Sequence, residues 1–335
     1  MDFRNYDDCE NDVEELYKQM YINQSYSRKL QFSNILMFKK HISVQDAIYY
    51  LNKVIDSSDP DTTHEQIYHG YQTAEVIRHN YFINGIFNEN IKIKDLFTEE
   101  EWNNLPNKYQ IEYNTTISEY YKISDWDWLL VIGLIHDLGK ILVLPEFGYF
   151  PEHFSVGDIY PLGCKFHESN IYYEKKYHEL SEDFNNPLYN TLNGIYNKNC
   201  GFSNIEMTFS HDYYLYEVLF RSYTNLPLEA LYIVRFHSFY AWHTPHNGIR
   251  AYTNLASEGD WKNLPLLKLF QKTDLYSKTN VLPFSQYCFE LRELEERIPP
   301  ESVSSPMPPI ITSRPAPPII LSSPANPSKY SPIGP

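Results

Sequence analysis

The chain has 335 residues, with 28 Lys and Arg against 43 Asp and Glu for a net charge of -15, and 42% of it is apolar. That is enough for one sizeable core or two ordinary domains, and so acidic a surface repels nucleic-acid phosphates and anionic lipid headgroups. The four cysteines (Cys9, Cys164, Cys200, Cys288) form no C-x-x-C pair, which argues against a disulfide framework or a zinc ribbon, and the best apolar run, Leu129 to Ile135, is far too short to span a membrane.

The start, MDFRNYDDCE, is acidic and lacks the basic and apolar regions of a signal peptide, so the cytoplasm is the expected compartment. Ser43 followed by Asp46 reads as a capping box opening the helix VQDAIYYLNKVI, in which Val44, Ala47, Ile48, Leu51 and Ile55 form one stripe. IYHGYQTAEVIR follows. Residues 84 to 122, rich in Asn, Tyr and Glu with weak periodicity, look like a surface insertion between two core helices. WLLVIGLIH, MTFSHDYYLYEVLF, EALYIVRFH and LPLLKLFQKTDLYSK complete the helical set, each broken by Pro, Gly or Asn-rich stretches. The expected fold is all-α. Twelve of the 22 prolines lie in residues 299 to 335, with one aromatic and three charges, so this segment cannot bury a core and reads as a disordered tail. Its PMPP and PAPP runs also satisfy the P-x-x-P pattern of SH3 and WW ligands.

Adjacent His136 and Asp137 close the most apolar segment of the chain, where an ionised carboxylate is costly unless paired, hydrogen-bonded or bound to metal. Consecutive helical residues point about 100° apart, so both can face one metal only where the helix is ending, and Gly139 offers such an ending. His69, His211, His237 and Asp274 each sit on a separate half-apolar helix. One such residue alone is weak; five helices each presenting one is what a metal site in a bundle core requires. Six N and O donors without thiolate exceed one tetrahedral zinc and suit two octahedral metals sharing a carboxylate, iron or manganese rather than zinc.

The segments HGYQTAEVIR, IGLIHDLGK, GDIYPLGC, NKNCG, SHDYYLYEV, LPLEALYIVRFHSFYAWHT and FQKTDLYSK, in that order, resemble the myo-inositol oxygenase family, from FRNY at 3 to 6 as far as about residue 295. The resemblance implies a single-domain helical bundle of HD type over residues 1–298, with a di-iron centre in its core. It further implies an oxidoreductase of inositol catabolism that cleaves the C1–C6 bond of myo-inositol with O2 to give D-glucuronate. By the same resemblance His69, His136 and Asp274 bind the first iron, His211 and His237 the second, and Asp137 bridges a mixed-valent Fe(II)/Fe(III) pair. Arg4, Asp56, Lys140, Gly157, Asp158, Ser238 and Lys278 match substrate-contacting or pocket-closing positions, and Lys140 doubles as a catalytic residue that favours a substrate alkoxide.

No G-x-G-x-x-G loop is present, and no nicotinamide or flavin is expected. The implied partners are myo-inositol and O2, with neither nucleic acid nor membrane, acting on a monomer. His243 and His246 read as solvated loop histidines. Two competing readings remain open on the sequence: HD-type phosphohydrolases share the H-D pair, although a body charge of -16 over residues 1–298 does not suit a polyphosphate. A non-catalytic scaffold acting through the Pro-rich tail is the other.

Overall fold

A computed structural model describes residues 11–29, 42–58, 65–83, 91–123, 125–222, 224–245 and 248–277. Among these the chain is helical, with three isolated bridges and no strand, as expected. The Pro-rich tail at 299–335 lies outside the described residues, as do Arg4, Lys278 and His246.

Helix α1 (Asn11–Asn23) buries Val13, Tyr17, Met20 and Tyr21, a stripe at helical spacing. Helix α2 (Val44–Tyr50) begins as the sequence predicts, with the Ser43 hydroxyl accepting the Asp46 N–H at 3.0 Å. It ends sooner than predicted: Leu51–Lys53 is a 3-10 turn, which leaves Ile55 exposed and off the stripe. Helix α3 (Gln66–Ile77) follows.

Residues 91–122 lend one face to the core while the other stays exposed, whereas the sequence suggested a surface insertion at 84–122 with no part in the core. Three short helices, α4 (Glu99–Asn103), α5 (Asn107–Glu112) and α6 (Ile117–Tyr121), carry Ile93, Tyr109, Tyr113 and Ile117 of this segment or its turns into the main hydrophobic cluster. Full capping boxes, Thr98 with Glu101 and Thr116 with Glu119, hold α4 and α6 at a length that would otherwise fray. The composition concealed this because the residues that reach the core, Ile93, Leu96, Phe97, Leu105, Tyr109, Tyr113 and Ile117, are spread in ones and twos among exposed polar ones, while two tyrosines place their hydroxyls on carbonyls. Tyr121 Oη donates to the Lys262 carbonyl at 2.6 Å, and Tyr113 Oη donates to the carbonyl of Trp261.

Helix α7 (Asp127–Ile135) is apolar nearly all round, with Leu129 and Ile132 fully buried and Val131 exposed. Two glycines fix how closely it meets α3. A Cβ on Gly70 would stand 2.6 Å from the Leu134 carbonyl oxygen, and one on Gly133 would stand 3.0 Å from Ala74 Cα. The two backbones therefore touch where any larger side chain would part them. Helices α8 (His211–Arg221) and α9 (Leu228–Phe236) pack against each other. A short α10 (Tyr240–His243) leads to the long α11 (Glu258–Ser277), which crosses α3, α7 and α9.

Pro265 stands inside α11, where its ring nitrogen cannot donate to the Trp261 carbonyl four residues back. The Tyr113 hydroxyl occupies that vacancy, so the 91–122 segment completes the hydrogen bonding of the helix that carries Asp274. One main cluster of buried apolar side chains runs from Val13 on α1 to Phe270 on α11.

Candidate metal centre

Helix ends place the histidines. His136 is the C-cap of α7 and His237 the C-cap of α9, and each donates its backbone N–H back into its helix at 2.8 Å. Their rings do the same service for the last turn: His136 Nδ1 lies 3.0 Å from the Gly133 carbonyl and His237 Nδ1 lies 3.1 Å from the Val234 carbonyl. His211 opens α8 behind the cap Ser210, and its Nδ1 lies 2.7 Å from the Ser155 carbonyl. A carbonyl only accepts, so each Nδ1 carries a proton and turns Nε2 inward. His69 projects from the first turns of α3 and Asp274 from the last turn of α11.

The helix ending that the H-D pair needs is made by Asp137 itself, at φ -92° and ψ 2°, followed by a 3-10 turn at Leu138–Val143. Gly139 serves another purpose than the helix stop anticipated from sequence: it lets this turn lie against the backbone of His211.

The six predicted ligands converge in two halves. In the first, His69 Nε2 is 3.2 Å from His136 Nε2 and 2.8 Å from Asp274 Oδ1, and both histidines stand 3.7 Å from Asp137 Oδ2. In the second, His211 Nε2 is 3.3 Å from His237 Nε2, and the two lie 3.2 and 3.5 Å from the other oxygen, Asp137 Oδ1. All six residues are buried. His211 Nε2 and His237 Nε2 face one another across 3.3 Å, beside the carboxylates, where either a proton or a cation can sit. The donors at these separations fit one metal in each half with Asp137 shared.

The charges respond to the crowding. Burial alone would raise the Asp137 carboxyl, but Lys140 and His136 hold it well below its ordinary range. Asp274, equally buried, is held well below by His136 and His69. Burial would lower His211, yet the Asp212 and Asp137 carboxylates carry it up to about 10, and His237 rises for the same reason. Burial depresses His136.

Lys140 is buried rather than solvated, with Nζ at 2.6 Å from Asp56 Oδ2, 2.8 Å from Asp137 Oδ2 and 2.9 Å from Gln66 Oε1. Asp56 also accepts from the Ser58 hydroxyl at 2.6 Å. On the other flank Ser238 follows His237, its carbonyl accepts from the Ile159 N–H at 3.1 Å, and a Cβ on Gly157 would meet its Oγ at 3.4 Å. Asp158, at φ 54°, accepts from the Tyr17 hydroxyl at 2.7 Å. Asp56 thus reaches the shared carboxylate Asp137 through Lys140, Ser238 adjoins His237 with Gly157 against it, and Asp158 bonds to Tyr17 on α1.

Three participants were not foreseen. Asp212 is fully buried with Oδ1 at 2.7 Å from His211 Nε2; the signal was a second H-D dipeptide at 211–212, parallel to 136–137. Gln66, one helical turn before His69, left no signal beyond its helix. His243, read as solvated, is fully buried, and its Nε2 donates to the His237 carbonyl at 2.6 Å, which braces that ligand from behind.

The profile of the myo-inositol oxygenase family matches residues 10–111 and 103–288. Inositol oxygenase 2 of Arabidopsis thaliana is 37% identical over 286 residues, covering 84% of this chain and 75% of its own length. The inositol oxygenase of Dictyostelium discoideum is 38% identical over 281 residues (83% and 80%), and that of Rattus norvegicus 33% over 271 (80% and 77%). With this coverage at this identity, the chain belongs to the myo-inositol oxygenase family.

Proposed function

We propose that this chain is an inositol oxygenase that converts myo-inositol and O2 to D-glucuronate and water by opening the ring between C1 and C6. The atoms balance without a further reductant: C6H12O6 and O2 give C6H10O7 and H2O, a four-electron oxidation of the polyol matched by the full reduction of dioxygen. The observation that carries the reading is the pair of donor sets sharing Asp137, set in a chain of this family.

Two iron ions held by His69, His136 and Asp274, by His211 and His237, and by the shared Asp137 would bind the substrate diol and dioxygen and supply the redox equivalents when bound. A mixed-valent pair suits the N and O donor set. The remaining work belongs to side chains. Lys140, held between the Asp56 and Asp137 carboxylates, places its side-chain nitrogen beside the shared carboxylate, and a positive charge there favours a substrate alkoxide. Ser238 and Asp158 supply hydrogen-bonding groups for an uncharged polyol, and Gly157 leaves room beside Ser238. Arg4 and Lys278 match family positions that contact substrate or close the pocket.

Residues 1–298 are taken as one catalytic unit, because ligands from 69 to 274 meet in one centre, and 299–335 as a tail outside it. No helix among the described residues is long and apolar enough to cross a membrane. Cys164 and Cys200 are free thiols, in keeping with the cytoplasm, where a monomer is the expected state. An oxygen-electrode assay with myo-inositol, alongside metal analysis, tests the reading. Inositol-dependent O2 uptake with glucuronate formed supports it. Iron-loaded protein that takes up no oxygen after partial reduction, or that releases phosphate from nucleotides instead, overturns it.

A further inference from the structure

The two halves of the centre are more alike than the six-ligand scheme allows. In the first half Asp274 Oδ1 lies 2.8 Å from His69 Nε2 and 3.4 Å from His136 Nε2. In the second half Asp212 Oδ1 lies 2.7 Å from His211 Nε2 and 3.6 Å from His237 Nε2. Donors that sit side by side on one metal, each about 2.1 Å from it, are roughly 3 to 3.5 Å apart. Asp212 therefore stands to the second histidine pair as Asp274 stands to the first.

The two carboxylates differ in what else they touch. Asp212 Oδ1 also accepts from the Ser238 hydroxyl at 3.1 Å, and Oδ2 accepts from the Ser238 N–H at 3.3 Å. Both bonds are long, and both donors remain available if the carboxylate leaves a metal. Asp212 lies in the first turn of α8, an eleven-residue helix whose unpaired N–H groups favour negative charge. A carboxylate released at this place is neither unpaired nor stranded in an apolar surround.

We propose that Asp212 is a displaceable ligand: in the substrate-free enzyme it fills coordination space on the second metal, and the substrate's diol drives it onto Ser238. Its hydrogen-bond direction then sets how Ser238 reads substrate. The Ser238 proton points to Asp212, so the serine oxygen offers lone pairs and accepts from a substrate hydroxyl. This rests on the inositol oxygenase reading, because the diol is the incoming ligand.

The test uses the full chain loaded anaerobically with Co(II) or Fe(II), so that no turnover intervenes. Asp212→Asn is expected to weaken the second metal by about tenfold or more in the absence of inositol, and to leave the first unchanged. At saturating metal the same variant is expected to bind myo-inositol more tightly than the unmodified chain, since no carboxylate has to be displaced. A merely structural role predicts weaker binding. Ser238→Ala removes the receiving hydroxyl and leaves only the backbone N–H, and is expected to weaken inositol binding with metal affinity unchanged. A measurement needing no variant is the infrared difference spectrum of the unmodified loaded chain on adding inositol, in which one carboxylate is expected to leave a metal.

Unchanged second-metal affinity in Asp212→Asn, weaker inositol binding in that variant, or no carboxylate change in the difference spectrum overturns the proposal. If the loaded, unmodified chain binds no inositol at all, the functional reading fails. The metal-affinity comparison then still decides whether Asp212 is a ligand.

Discussion

A Cβ on Gly139 would lie 2.1 Å from the carbonyl oxygen of His211 and 2.8 Å from its carbonyl carbon. The turn after the H-D pair and the start of α8 are thus in backbone contact, and that contact sets the distance between Asp137 and His211. Gly139→Ala forces the two apart. The expected cost is about 1–3 kcal/mol, the range for overpacking a filled interior, read as a lowered Tm. Since His211 moves away from Asp137, the variant is also expected to retain the first metal and lose the second. Retention of both metals at unchanged Tm would show that the contact relaxes without moving the ligand.

Asp137 and Lys140 separate metal binding from turnover. Asp137 gives Oδ2 to one half of the centre and Oδ1 to the other. Asp137→Asn is therefore expected to cost both metals, measured by metal analysis after gel filtration. Lys140→Ala leaves every metal donor in place and is expected to keep both metals while kcat drops by about 10²- to 10⁴-fold. Equal metal loss in the two variants refutes the bridging assignment.

Metal uptake is expected to release protons. In the metal-free chain the His211 pKa stands at about 10, with burial opposed by the neighbouring carboxylates, chiefly Asp212. A folded-state pKa above the unfolded value of about 6.5 means stability present below pH 6.5 and lost as pH rises through 10. A metal needs the Nε2 lone pair, so it must expel that proton. Second-metal affinity should accordingly rise with pH between about 7 and 9, with at least one proton released per metal. Asp137 and Asp274 are depressed, so they remain carboxylates over this range and lose their stabilising charge only on acidification. Calorimetry in buffers of different ionisation enthalpy counts the protons; a count near zero rules the scheme out.

The helices and the six converging candidate ligands could be read from the sequence because both leave local marks. An apolar stripe has a period, and a histidine or aspartate inside one is conspicuous. What could not be read depended on contacts across the fold. Gly139 looked like a helix stop, whereas the space it leaves is defined by His211, 72 residues later. His243 looked like a loop residue because nothing in AWHTPH discloses that its ring meets the His237 carbonyl. Residues 91–122 looked superficial because their buried Ile, Leu, Phe and Tyr side chains are spread in ones and twos among polar ones. Asp212 was legible in principle, as the second H-D pair, but one step along a helix normally turns a side chain out of the site. It stays in because His211 is the first residue of α8.

Tyr113 and Pro265 offer a test of why the 91–122 segment is docked where it is. Pro265 has no N–H for the Trp261 carbonyl, and Tyr113, fully buried, supplies the hydroxyl instead. Tyr113→Phe keeps the ring, including its stacking on Phe97, and removes only the donor. The buried carbonyl then lacks that donor, at an expected cost of about 1–3 kcal/mol. Pro265→Ala restores a backbone N–H four residues beyond Trp261. In the Tyr113→Phe background it should recover most of the loss, less about 0.4–1 kcal/mol for the greater freedom of the unfolded chain. In the unmodified chain the same change gains no such bond, because the carbonyl is already served, and should be neutral or mildly destabilising. Denaturant unfolding of the four proteins gives the coupling directly. If the two substitutions instead add without coupling, the hydroxyl and the proline are independent, and the segment is held to α11 by other contacts, among them the Tyr121 hydroxyl on the Lys262 carbonyl and the Lys268–Glu101 ion pair at 2.7 Å. With coupling, the α11 that presents Asp274 owes its continuity to a side chain nearly 150 residues earlier in the chain.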